Sequence, residues 1–64
     1  ISDAEAIEHA VSTLAEQLGL PAAAARAQIE AQAAAQGRSL GLLARDIVRA
    51  QATLAVFRTG IRPR

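Results

Sequence analysis

From Pro21 to Gln36 the chain holds one bulky apolar residue, Ile29, among nine alanines. A stretch so poor in large side chains is either a flexible spacer or a helix whose smooth surface lets neighbouring backbones come close. Spacers are rich in Gly, Ser or Pro, whereas alanine has the highest helix propensity of all residues. The boundaries agree with a helix. Pro21 suits a first helical position, because its fixed φ is already helical and its missing N–H would have had no partner. Gly37 can take the left-handed conformation that closes a helix. Ala22, Ala25, Ile29 and Ala33 then share one face, with Gln32 beside them.

The flanking segments carry the larger apolar residues. Ser2, Asp3, Ala4 and Glu5 fit a capping box, in which the Ser2 hydroxyl accepts from the Glu5 N–H and the Glu5 carboxylate accepts from the Ser2 N–H. Ile7, Ala10, Val11, Leu14 and Leu18 follow at helical spacing, Glu8, Thr13, Glu16 and Gln17 fall mainly outside, and Gly19 is the natural stop. After Gly37, Ser39 can cap a third helix whose inward face reads Leu40, Leu43, Ala44, Ile47 and Val48. The same steps continue through Gln51, Leu54 and Ala55, which carries the helix to about Arg58, with Val56 and Phe57 partly off the core face. The expectation is an all-α fold: a small three-helix bundle with an extended third helix, over residues 3–18, 21–36 and 39–58. Ile7, Leu14, Leu18, Ile29, Leu40, Leu43, Ala44 and Ile47 are the expected core. Residues 1–60 form the domain and residues 61–64 a disordered tail.

A chain of 64 residues lies near the lower limit at which one hydrophobic core holds a fold. It has no cysteine, so disulfides and thiolate metal sites are excluded, and the lone His9, between acidic neighbours, reads as a solvated side chain rather than a metal ligand. No nucleophile–base pair, paired acid constellation, phosphate loop or dinucleotide fingerprint is present, so neither an enzyme nor a cofactor is expected. No apolar run approaches the roughly 18 residues that span a bilayer, and no signal peptide is visible, which points to a cytoplasmic protein with no membrane partner. A start at Ile1 without a methionine suggests a piece of a longer protein.

The net charge is only +1, yet it is unevenly placed. Residues 1–32 carry Asp3, Glu5, Glu8, Glu16 and Glu30 against Arg26, a balance of −4, and residues 33–64 carry six arginines against Asp46, a balance of +5. Every basic residue is Arg, the side chain best suited to forked hydrogen bonds with phosphate and to stacking on bases. Arg45 and Arg49 lie one turn apart on the outer face of the third helix, and Arg38 just precedes its N-terminus, where backbone N–H groups also favour an anion. The plainer reading of the same residues is a solvated helix face on which Arg45, Asp46 and Arg49 satisfy one another.

From Ile7 to Val48 the chain resembles the ANTAR domain, the three-helix RNA-binding module of transcription antitermination regulators. The resemblance is carried by Ile7, Ala10 and Leu14 in the first helix; by Gly19, Leu20, Pro21, Ala25, Ile29 and Ala33 across the turn and second helix; and by Gly37, Arg38, Leu40, Leu43, Ala44, Ile47 and Val48 in the third. These positions align without a gap over about two thirds of the chain. The sequence departs from the family where Val11 and Ser12 stand for a usual Lys-Gly, Arg26 for an aromatic, and Ile29-Glu30 for Leu-Arg. Val11 and Glu30 are expected at exposed or half-exposed positions, where Lys and Arg would restore the usual charge.

The resemblance implies an output domain that binds paired hairpin loops in messenger RNA so that a terminator cannot form. It implies a homodimer controlled by an attached receiver or GAF sensor domain, as in two-component signalling. Arg38, Arg45, Arg49, Ser39 and Arg26 are the candidate RNA-contacting residues, and Leu54, Val56 and Phe57 the candidate dimer interface. A different class of reading is a helical dimerisation or protein-interaction module of a signalling regulator that does not bind RNA, supported by the apolar surplus at the end of the third helix. DNA binding by a helix-turn-helix is a further alternative, since a tight turn at Gly37 before a basic helix suits that geometry.

Overall fold

A computed structural model describes residues 2–60 and places them in three helices, α1 (Asp3–Leu18), α2 (Ala22–Gln36) and α3 (Leu40–Gly60). The tail expected at residues 61–64 lies outside the described residues.

The helix ends follow from local chemistry. At the start of α1 the Ser2 hydroxyl accepts from the Glu5 N–H at 3.2 Å, and Glu5 Oε1 accepts from the Ser2 N–H at 3.1 Å, a complete capping box. Gly19 and Gly37 close α1 and α2 in the left-handed region, with φ of 66° and 65°, where a side chain would be strained. Two boundaries differ from the expected ones by a residue. Pro21 has a helical φ of −62° but an extended ψ of 153°, so it caps α2 from outside and Ala22 is the first helical residue. Ser39 likewise stays outside α3, its hydroxyl accepting from the Leu42 N–H at 3.1 Å and its carbonyl from the Leu43 N–H at 3.1 Å.

Asp3 pairs with Arg45 near one end of the bundle, and Gln17 donates to Gln51 at 3.2 Å near the other. α1 and α3 therefore run side by side in the same direction, and α2 returns antiparallel between two tight turns. Alanine decides how closely they pack. Ala6, Ala10, Ala25 and Ala44 have no exposed surface, and Val11, Ile29, Ala33 and Leu43 complete the buried set. Ile7, Leu14, Leu40 and Ile47 lie around this centre, partly covered. The alanine-rich segment is thus a helix that brings its neighbours close and is anchored by Ile29.

Two expectations about individual side chains are corrected. Leu18 is 52% exposed rather than part of the core, because α1 ends there and Gly19 turns the chain away before another helix can cover it. Val11 is buried, since Ile7, Val11 and Leu14 form a stripe at steps of four and three that faces the bundle. A lysine at position 11 would put its charge into the core, so Val11 serves packing. Glu30 is exposed, as expected.

With 21 residues against 16 in α1, α3 is longer by about 7 Å at 1.5 Å per residue. Residues 52–58 are all exposed, so the end of α3 extends beyond the cover of the other two helices.

Candidate nucleic-acid interface

Arg45 and Arg49 project from the same side of α3, separated by about 40° at 100° per residue. Each meets an acid. Arg45 places Nε 3.0 Å and Nη2 2.9 Å from Asp3 Oδ1, a two-nitrogen clasp that ties α3 to the start of α1. The carboxylate can lie this close because Gly41 has no side chain: a Cβ there would fall 2.7 Å from the Asp3 carboxyl carbon. Arg38, at the α2–α3 turn, ion-pairs with Asp46 and donates to Gln36 Oε1 at 3.2 Å. Arg49 approaches the other oxygen of Asp46 only to 3.8 Å, and its side chain is 77% exposed.

Asp46 therefore sits between Arg38 and Arg49 and draws on both. Solvent-accessible pairs of this kind contribute about 0–1 kcal/mol, so their arginines can exchange one anionic partner for another at little cost. Ser39, at the same end, already uses its hydroxyl as the α3 cap. Arg26 belongs to a different seam, where its Nη2 lies 2.9 Å from Glu8 Oε2 and joins α2 to α1. The structure thus groups Arg38, Ser39, Arg45 and Arg49 around the first half of α3 and leaves Arg26 apart.

The partners Asp3 and Glu8 were invisible to sequence spacing. Asp3 and Arg45 are 42 residues apart and Glu8 and Arg26 are 18 apart, and only the packing of the helices brings them together. The acidic first half of the chain meets the basic second half across the α1–α3 seam, where Asp3 pairs with Arg45, whereas the Glu8–Arg26 pair joins two residues of the first half.

Leu54, Val56 and Phe57 are all strongly exposed, but they do not form one patch. Leu54 and Phe57 lie within about 60° of each other, whereas Val56 is about 160° from Leu54 and continues the arginine side, one heptad beyond Arg49. With Leu42, also exposed, Val56 gives the arginine face an apolar margin at each end.

His9 is exposed beside Glu5, Glu8 and Ser12 along a shallow surface depression, and no group of three potential metal ligands forms among the described residues. No helix among them is long and apolar enough to cross a membrane. No protein-family model matches the chain, and no curated protein or solved structure is significantly similar to it.

Proposed function

We propose that this chain is an RNA-binding output domain of the antitermination-regulator kind, with the arginine side of α3 as the surface that meets hairpin loops. The observation that carries the reading is the grouping of Arg38, Arg45 and Arg49 around the first half of α3, Arg49 largely open to solvent, with two carboxylates, Asp3 and Asp46, as their counterions. Phosphates would supply salt-dependent attraction, and guanidinium planes together with Leu42 and Val56 would offer surfaces to unstacked loop bases. The ANTAR resemblance supports the same assignment, including a sensor domain attached in the longer protein and a cytoplasmic setting.

The test is fluorescence anisotropy with a two-hairpin RNA across a salt series. Replacing Arg38, Arg45 or Arg49 with Ala is expected to weaken binding and to flatten the plot of log affinity against log salt by about one per lost contact. Arg26→Ala, on the other seam, should leave that slope unchanged. Glu30→Arg, at an exposed position, should strengthen binding by removing an acid. Equal slopes for the parent and the Arg38, Arg45 and Arg49 variants would exclude this face as the phosphate contact.

A second reading is a helical interaction module. It is favoured by Leu54 and Phe57, which remain 54% and 57% exposed on the far end of α3, an apolar surface that a partner would cover.

A further inference from the structure

We propose that two copies of this chain pair antiparallel through α3, each seating its Phe57 in the groove that the other copy leaves between α2 and α3. The proposal deepens the interaction-module reading by naming the partner and the register. The groove, about 650 Å³, has Leu14, Ile29, Leu43 and Ile47 on its floor and walls and Gln28 and Gln32 on its α2 edge. It exists because alanines fill the rest of that edge of α2 and leave space that larger side chains would have closed.

Leu40, Leu43, Ile47, Ala50, Leu54 and Phe57 follow one another along α3 at steps of three, four, three, four and three. Such an alternation places all six on one stripe and is the pattern that two helices bury against each other. Its first half lies at the groove, where Leu43 is buried and Ile47 partly covered. Its second half is the exposed end of α3. Plug and socket are thus one continuous apolar surface of the same helix, so a second copy supplies what each half lacks.

The register follows from the repeat. With the helices antiparallel, Phe57 of one copy lies level with Ile47 of the other, and Leu54 with Ala50, whose methyl leaves room for it. A two-fold axis near residue 52 makes each contact occur twice. A parallel pair would bring the two exposed ends together and leave both grooves open.

The chain has no cysteine, so single cysteines can report the register. Thr53→Cys places its sulfurs within about 3 Å of each other along the axis, and Arg58→Cys about 18 Å apart, at 1.5 Å per residue. Sedimentation of the parent should show a dimer, which a short bismaleimide links through Thr53→Cys and not through Arg58→Cys. Phe57→Glu should weaken the dimer by about tenfold or more with the helical spectrum unchanged. Ile47→Glu, in case it unfolds the domain, is replaced by Gln32→Trp, which narrows the groove from its exposed edge and should weaken the dimer as well. A dimer linked through Arg58→Cys, or one indifferent to Phe57→Glu, would overturn the antiparallel plug while leaving an interaction module in place. A parent that stays monomeric at high concentration would overturn both.

Discussion

Ile29→Ala is expected to lower the free energy of unfolding by about 2–5 kcal/mol, and in this chain that is a large share of the total. Domains carry about 0.05–0.15 kcal/mol per residue, and so short a helical bundle has little to spare. Ile29 is 2% exposed, and the other buried residues of α2 are Ala25 and Ala33. With Ile29 shortened, the buried contacts of α2 would be methyl groups alone, and the cavity would join the open groove beside Leu43. Urea denaturation followed by circular dichroism measures the effect. Leu43→Ala, on the facing side of α3, should fall in the same range, while Gln28→Ala, exposed one residue before Ile29, should change stability by less than about 0.5 kcal/mol. An Ile29→Ala protein that unfolds like the parent would show that α2 is anchored elsewhere.

Ala44→Leu is the second large effect, and its sign distinguishes this bundle from one with an ordinary leucine core. Ala6, Ala10, Ala25 and Ala44 are completely covered, so the separation of the helices is set by methyl groups. A leucine at position 44 must push α3 away from α1, at a cost of about 1–3 kcal/mol or more. The clasp between Asp3 and Arg45, which depends on close approach over Gly41, would loosen with it. Ala52→Leu, on the exposed part of α3, is the matched control and should be neutral. If Ala44→Leu instead stabilised the domain, the interior would be loosely packed and the alanines would not be setting the helix spacing.

Much of the fold was legible because it rests on local chemistry. The capping box at Ser2 and Glu5, the left-handed glycines at 19 and 37 and the apolar periodicity are properties of short segments, and they placed all three helices to within two residues. The depth of each side chain was less legible. Leu18 fits the α1 stripe as well as Leu14 does, but burial depends on whether another helix reaches that far, which no local pattern records. Helical spacing places Val11 on the apolar stripe with Ile7 and Leu14, where it is buried, whereas the family pattern alone puts it at an exposed position. The arginines of α3 were legible as a group. Their partners Asp3 and Glu8 were not, because those pairs form only once distant segments pack. Val56 was grouped with Leu54 and Phe57 by nearness in sequence, although helical rotation carries it to the arginine side.

We propose that the arginine side of α3 meets RNA and that Asp46 competes with it for Arg38 and Arg49. Asp46→Asn keeps the size of the side chain and removes its charge, so it separates a binding surface from a merely self-satisfied one. The direct measurement is the affinity of the parent and of Asp46→Asn for a two-hairpin RNA, by anisotropy at one fixed moderate salt concentration, with unfolding followed in parallel. The variant is expected to bind about two- to fivefold more tightly, the equivalent of an exposed ion pair of up to about 1 kcal/mol released to the RNA, while its stability falls by no more than a similar amount. No binding by either protein with the helical spectrum intact, or equal binding by both, would contradict it.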